Sequence, residues 1–258
     1  MQPGTARPGD AVVVTVRGAE DSPTGTLGDR ELRFWPIPGG HQAIAAVDVE
    51  AKADPLGLEV QLPGGENADD LQVEGTLEVA EAHFPERALT VAARYVTPPP
   101  SVKKWIAEDQ KAFTRAMAQP PGPRLFTANF DWPVQSMLTA GFGDLRLLNG
   151  RKQSQHFGTD LDGVTGDPVF ASNDGAVVLS RECYTSGNTV LVFHGAGLYT
   201  AYFHLSKREV KTGEKVARGQ RLGRVGATGR VTGPHLHFGV KVEGHWADPE
   251  SLLRLDFE

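Results

Sequence analysis

The stretch Gly233-Pro234-His235-Leu236-His237-Phe238-Gly239-Val240 decides how the second half of this chain folds. Its alternation predicts a β-strand, because successive side chains on a strand point to opposite faces of the sheet. Leu236 and Phe238 are then expected to face a core, and His235 and His237 to share the other face. Two imidazoles side by side can serve one metal centre, one as a ligand and the other beside a bound water. Alone, a His-x-His pair is a weak signal, and a structural role is its alternative.

A second pattern of this kind is His156-Phe157-Gly158-Thr159-Asp160. An imidazole and a carboxylate are both suitable ligands for Zn²⁺. Residues four apart on a straight strand are separated by about 13 Å, which is too far for one ion. Gly158 permits a bend that brings the two side chains together. The alternative for Asp160 is a turn residue beside Asp162-Gly163.

The third pattern is the strand-like stretch Thr200–Ser206, which contains His204. Strict alternation places His204 on the face of Thr200 and Tyr202. The opposite face would carry Ala201, Phe203 and Leu205. The remaining histidines are interpreted as structural or surface residues: His41, His83, His194 and His245.

Taken together, the three patterns indicate a catalytic zinc site. Two histidines and one aspartate provide three ligands and leave the fourth tetrahedral position for water, as catalytic zinc requires. The sequence contains no His-Glu-x-x-His, which excludes the helical metalloprotease arrangement with its glutamate base. The histidines that are not ligands must then handle protons. The patterns alone leave open which histidines are the ligands.

Composition sets broader limits on function. The 258 residues are 40% hydrophobic and 22% charged, which is ordinary for one large or two smaller globular domains. A net charge of −6 argues against nucleic acid as a partner. No long apolar run predicts a membrane span, and no signal peptide follows Met1, so a secreted protein is expected here in its mature form. The single cysteine, Cys183, cannot form an intramolecular disulfide.

The chain is predicted to be mainly β, in three parts. Residues 1–100 carry short alternating runs that favour an immunoglobulin-like β-sandwich. The predicted strands are Ala11–Arg17, the region of Leu32 and Phe34, Ile44–Val49, Leu58–Leu62 and Leu89–Val96. Residues 101–124 predict a linker helix and loop between two domains. Residues 125–258 return to strands and glycine-rich turns.

Beyond these patterns, residues from about Asp131 to Leu253 resemble the lysostaphin-type, or LytM-like, zinc peptidase family. The supporting elements include Trp132-Pro133-Val134, Phe142-Gly143, Arg146, Asn149-Gly150, Gly166-Asp167-Pro168-Val169, Asn173-Asp174-Gly175, Gly187-Asn188-Thr189-Val190, Val216, Gly219-Gln220, Gly226-Ala227-Thr228-Gly229 and Asp248-Pro249. The resemblance implies a β-rich catalytic domain with an open groove. It also implies that His156, Asp160 and His237 bind zinc and that His204 and His235 are catalytic histidines outside the ligand set.

The resemblance further implies a substrate class, the peptide stems of bacterial peptidoglycan. Asn149-Gly150, the run ending at Arg230 and the preceding β domain are similar to the Gram-negative envelope branch. Since ten residues follow Asp248 here, we expect no C-terminal wall-binding domain of the kind that commonly accompanies the glycine-specific enzymes. We therefore expect a periplasmic or cell-envelope D,D-endopeptidase that cleaves D-alanine–diaminopimelate bonds. The alternatives are cleavage of glycine-rich cross-bridges, a catalytically silent member that activates another hydrolase, and a non-catalytic wall-binding module; the sequence identifies no protein partner.

Overall fold

The computed structural model describes residues 1–64, 69–120 and 122–258, and these ranges are mainly β-structure, as the sequence predicts. The N-terminal part contains strands β1 (Thr5–Ala6), β2 (Ala11–Arg17), β3 (Thr24–Leu27), β4 (Arg30–Glu31), β5 (Trp35–Ile37), β6 (Gly40–Ala46), β7 (Leu56–Leu62) and β8 (Leu71–Val79). They form a five-stranded sheet in the order β1-β8-β7-β3-β4 and a three-stranded sheet in the order β2-β6-β5. The two sheets enclose a core of small and branched apolar side chains.

The three-stranded sheet is buried on both faces. Val12 and Val14 point into the core between the two N-terminal sheets. Ala11 and Val13, on the opposite face of the same strand, join a second core together with Ile44. This second core is shared with the C-terminal part of the chain, so the sheet is a middle layer. The immunoglobulin-like topology predicted for residues 1–100 is not confirmed, because a sandwich of that type keeps the outer faces of its sheets in solvent.

Several predicted strand positions in this part were wrong. Leu32 and Phe34 lie between β4 and β5, outside both strands. The run Leu89–Val96 divides into the end of strand β9 (Glu86–Leu89) and a short helix, α1 (Ala93–Val96). Strand β9 obtains its hydrogen-bonding partner from residues 145–148, far along the chain, and local alternation cannot reveal such a partner.

The predicted helix forms as α2 (Lys103–Ala116), after a 3₁₀ turn at Pro100–Val102. The C-terminal part then adds β10 (Leu138–Ala140), β11 (Leu145–Leu148), β12 (Lys152–Gln155), β13 (Thr159–Asp162), β14 (Pro168–Phe170), β15 (Gly175–Cys183), β16 (Gly187–Phe193), β17 (Leu198–Leu205), β18 (Lys207–Arg208), β19 (Lys215–Val216), β20 (Arg221–Arg224), β21 (His235–Val242), β22 (His245–Ala247) and α3 (Pro249–Leu252). Among the residues that the structure describes, no helix is both long and apolar enough to cross a bilayer.

An eight-stranded sheet dominates the C-terminal part, with β10-β13-β21-β17-β16-β15-β19 in order and β22 beside β21. Its inner face presents Leu236, Phe238 and Val240 to the shared core, as the alternation predicts. Helix α2 packs through Ala116 on the outer face of the sheet. Asp109 of the helix accepts a hydrogen bond from the backbone N–H of Tyr184 at 2.7 Å. The helix therefore lies on the eight-stranded sheet and supports the loop after β15.

Because the core is shared, we expect the N-terminal and C-terminal parts to unfold together. Replacing Ile44 by Ala should lower the free energy of unfolding by about 2–5 kcal/mol, since Ile44 is 2% exposed. Urea denaturation followed by tryptophan fluorescence should show one shifted transition. The matched control is Val164→Ala, at a side chain 72% exposed, which should change stability by less than about 0.5 kcal/mol. Two separate transitions, of which only one moves, would contradict the shared core.

Candidate active site

Asp160 and His237 lie directly opposite each other on neighbouring antiparallel strands, β13 and β21. Both side chains point to the outer face of the sheet, away from Leu236 and Phe238. Oδ1 of Asp160 and Nδ1 of His237 are 3.0 Å apart. The backbone register therefore places a carboxylate and an imidazole next to each other without any loop.

His156 approaches this pair from the segment between β12 and β13. Its Nε2 lies 2.9 Å from Oδ1 of Asp160 and 2.8 Å from Nδ1 of His237. The other ring nitrogen, Nδ1, donates to the carbonyl oxygen of Gly141 at 2.7 Å. Since a carbonyl can only accept, Nδ1 carries the proton and Nε2 presents its lone pair to the site. The bend predicted between His156 and Asp160 is present, because the strand is interrupted from 156 to 158.

The three facing atoms suit a zinc ion. All three residues are buried, and their ligand atoms converge within 4.8 Å of one another. Tetrahedral coordination with bonds of about 2.0–2.1 Å separates ligand atoms by about 3.3 Å. The observed separations of 2.8, 2.9 and 3.0 Å require an outward movement of only a few tenths of an ångström. Two imidazoles and one carboxylate are also the donor types that Zn²⁺ prefers.

Arg146 holds the other oxygen of the aspartate. Its guanidinium lies 2.6 Å from Oδ2 of Asp160, and the two side chains are 17% and 10% exposed. Burial acts to raise the pKa of Asp160, but its close contacts with the rings of His156 and His237 outweigh that effect and hold the pKa well below its ordinary value. The carboxylate is therefore ionised and oriented, with Oδ1 free to face a metal. The sequence patterns assigned no role to Arg146.

The ring of His237 is held on both sides. The ring of Phe203 stacks on it, with centroids 5.0 Å apart and planes at 8°. Gly158 lies on another side, where an added Cβ would stand 2.6 Å from Nε2 of His237. Gly158 thus provides room for the ligand ring, in addition to the bend that the sequence predicts.

His204 departs from the alternation predicted for its strand. Val190 of β16 lies opposite Tyr202, and Asn188 lies opposite Leu205, so one residue faces two on β17. This β-bulge contains His204, whose φ of 62° is left-handed and rare for a side chain other than glycine. As a result, Phe203 and His204 both reach the outer face, and Leu205 returns to the shared core. The prediction that Phe203 and His204 face opposite sides was wrong.

His204 and His235 lie beside the three candidate ligands, with their own ring centroids 5.1 Å apart. Nδ1 of His204 donates to the carbonyl oxygen of Thr228 at 2.8 Å, and Nδ1 of His235 donates to that of Gly233 at 2.9 Å. In the neutral form, each ring therefore carries its proton on Nδ1 and its lone pair on Nε2. Nε2 of His235 lies 3.7 Å from Oδ1 of Asp160. Burial and the neighbouring His235 and His237 lower the pKa of His204 well below its usual value, so its ring is neutral at pH 7.

The other four histidines lie outside the site. His194 is fully buried and bonds to Thr200 Oγ1 at 2.7 Å, and burial lowers its pKa to about 4. His245 pairs with Asp48 at 2.9 Å across the two parts of the chain. His41 is buried within β6, and His83 is exposed. The interpretation of these histidines as structural or surface residues agrees with their positions.

A groove of about 440 Å³ runs over the five site residues. One side is formed by Thr185, Ser186 and the loop Arg230–Pro234. Another part of its lining is formed by Leu89 and Val91, which follow the N-terminal sheets in sequence.

The side chain of Asn149 holds this part of the lining in place. It accepts from the N–H of Val91 and donates to the carbonyl oxygen of Val91, both at 2.8 Å. The amide thus extends the parallel pairing of β9 with β11 by one more pair of hydrogen bonds.

A β-sheet that presents three metal-donor side chains and two further oriented imidazoles in an open groove has the arrangement of a metallopeptidase site. Residues 154–249 match the model of peptidase family M23, and this range contains all five site residues. The chain therefore contains an M23 peptidase domain of the lysostaphin or LytM-like type.

Three of the relatives that match this chain are named peptidoglycan DD-endopeptidases. Peptidoglycan DD-endopeptidase ShyA of Vibrio cholerae is 47% identical over 116 residues, which cover 44% of this chain and 27% of ShyA. ShyB of the same organism, also named a peptidoglycan DD-endopeptidase, is 38% identical over 152 residues, or 57% of this chain and 34% of ShyB. The chain thus matches about a third or less of the length of these relatives.

A solved structure of a Pseudomonas aeruginosa protein assigned to peptidase M23 matches at a TM-score of 0.72 and 28% identity. The match covers 95% of this chain and 94% of that one. Its extent shows that the N-terminal sheets and the peptidase domain occur together in another protein with the same arrangement.

If Asp160 is a ligand, Asp160→Ala should remove most bound zinc, because two imidazoles alone hold the ion weakly. Metal analysis after dialysis should fall from about one zinc per chain in the wild type to near zero. The matched control is Asp162→Ala on the same strand, at an exposed residue opposite His235, which should keep its zinc. Circular dichroism should confirm that both variants are folded. Full zinc occupancy in Asp160→Ala would contradict the assignment.

Proposed function

We propose that this protein is a zinc-dependent endopeptidase that hydrolyses peptide cross-links of bacterial peptidoglycan. The observation that carries the proposal is the convergence of His156, Asp160 and His237 beside two oriented imidazoles at the floor of an open groove. A zinc ion bound there would polarise the scissile carbonyl and make water acidic enough to attack it near neutral pH. A family member without catalytic activity would not need all three candidate ligands and both further histidines.

We propose that His235 acts as the general base. Its Nδ1–H donates to the carbonyl oxygen of Gly233, so Nε2 is the nitrogen that can accept a proton. That nitrogen lies 3.7 Å from Oδ1 of Asp160, so it would be close to a water bound with the metal. Because the ring is already fixed, no free energy is needed to orient the base during the reaction.

We propose that His204 acts on the carbonyl oxygen or the leaving amine. Its left-handed backbone and its hydrogen bond to Thr228 fix the ring beside the three candidate ligands. Once the ring has accepted a proton, Nε2–H can donate to the developing oxyanion or to the departing nitrogen. Either step uses a ring that is held before the substrate arrives.

The substrate class rests on the relatives and on the groove. ShyA and ShyB are named peptidoglycan DD-endopeptidases, and Mpg of Neisseria meningitidis is named a DD-carboxypeptidase/endopeptidase. We propose the same bond type here, between D-alanine and diaminopimelate in directly cross-linked stems. An open groove can bind a branched peptide at an internal bond. A closed pocket would exclude such a substrate. With such a substrate, we propose that the protein acts in the periplasm or the extracellular cell envelope.

Replacing His204 separates proton chemistry from metal binding. His204→Ala should keep about one zinc per chain and lose about 10²-fold or more of kcat on a cross-linked muropeptide, because general acid–base or oxyanion assistance has that magnitude. The matched control is His245→Ala, which removes an imidazole outside the groove and should retain activity. Turnover close to wild type in His204→Ala would assign that ring a structural role.

The bond itself is tested by digesting two substrates side by side. Purified D-alanine–diaminopimelate cross-linked dimers should give monomers on chromatography, and a pentaglycine peptide should stay intact. Asp160→Ala serves as the inactive control for contaminating hydrolases. Cleavage of pentaglycine alone would reverse the substrate assignment.

A further inference from the structure

Three arginines line the groove. Among the described residues, only two of them form ion pairs with acidic side chains. Arg146 is paired with Asp160 at 2.6 Å, and Arg87 with the buried Asp144 at 2.5 Å. Within the described ranges, Arg230 forms no side-chain hydrogen bond or ion pair. The groove therefore contains one uncompensated guanidinium, in a chain whose net charge is −6.

The backbone of Arg230 is fixed beside the catalytic histidines. Its N–H donates to the carbonyl oxygen of Thr185 at 2.7 Å. The preceding Gly229 packs so closely on this loop that an added Cβ would stand 2.4 Å from the same oxygen. Thr228, two residues before Arg230, supplies the carbonyl that orients His204. Arg230 is thus carried by the same short loop that positions a proposed catalytic group.

The surroundings of Arg230 favour a negative ligand. Its side chain is half-buried, and burial, followed by the nearby Arg146, lowers its pKa. Arg146 is already occupied by Asp160, so it adds positive potential without adding a counter-ion for Arg230. A half-buried guanidinium of this kind gains most from an anion that replaces the water it has lost, and a carboxylate fits its paired N–H donors.

We propose that Arg230 is a specificity residue that binds a carboxylate of the substrate next to the scissile bond. This inference rests on the proposed peptidase function. In a direct cross-link, the diaminopimelate carbon that bears the amide nitrogen also bears a carboxylate, so an anion lies within a few bonds of the cleaved bond. A glycine cross-bridge carries no charge at that point. Arg230 thereby distinguishes the two kinds of cross-link through charge.

The test uses the full chain and two synthetic cross-linked dimers that differ only at this group, one with the free carboxylate and one with the carboxamide. Wild type should prefer the acid by about 10- to 100-fold in kcat/KM, the effect expected of charge-assisted hydrogen bonds to one carboxylate. Arg230→Met, which keeps the length of the side chain and removes its charge, should bring the acid-to-amide ratio close to one. Arg230→Lys should restore part of the preference.

The control for the loss of an arginine is Arg221→Met, at an exposed residue paired with Glu209 outside the groove, which should keep the full preference. Zinc content and thermal melting confirm that each variant is folded and loaded. If wild type cleaves neither dimer, the proposed function fails and the inference fails with it. If wild type cleaves both and Arg230→Met lowers both rates equally, or leaves the ratio unchanged, the proposed function stands and the carboxylate site is overturned.

Discussion

The pairing of β13 with β21 is the constraint on which the site depends. It places Asp160 directly opposite His237, and it directs both side chains away from the core that Leu236 and Phe238 fill. A slip of one residue would turn the candidate ligands inward and the apolar side chains outward. The apolar core therefore enforces the register of the candidate metal site, and the core and the site use alternate residues of the same two strands.

Orientation of the remaining groups comes from backbone carbonyls. Those of Gly141, Thr228 and Gly233 each accept from the Nδ1–H of one histidine. Each bond selects a single tautomer and leaves the opposite nitrogen for chemistry. Loops provide these carbonyls, and tight contacts at their glycines keep the loops in place, as at Gly229 against Thr185.

The N-terminal part contributes to both stability and the groove. Its middle sheet completes the core beneath the peptidase sheet, through residues such as Val13 and Ile44. The strand that follows, Glu86–Leu89, becomes one wall of the groove and is extended by the side chain of Asn149. Changes in the N-terminal region can therefore reach the substrate path through a covalent and hydrogen-bonded connection only a few residues long.

The sequence by itself determined the donor types, the mainly β character and the faces of the strand His235–Val242, because these follow from local chemistry and from a period of two. It also pointed to His156, Asp160 and His204 through spacing and family resemblance. Only the tertiary structure decided that a bulge brings Phe203 and His204 to one face, that Glu86–Leu89 pairs with Leu145–Leu148, and that Arg230 lacks an acidic partner among the described residues. Each of these three features depends on which segments, distant in the sequence, pack beside one another. That packing is set by burial of the shared core, so a local sequence pattern cannot predict it.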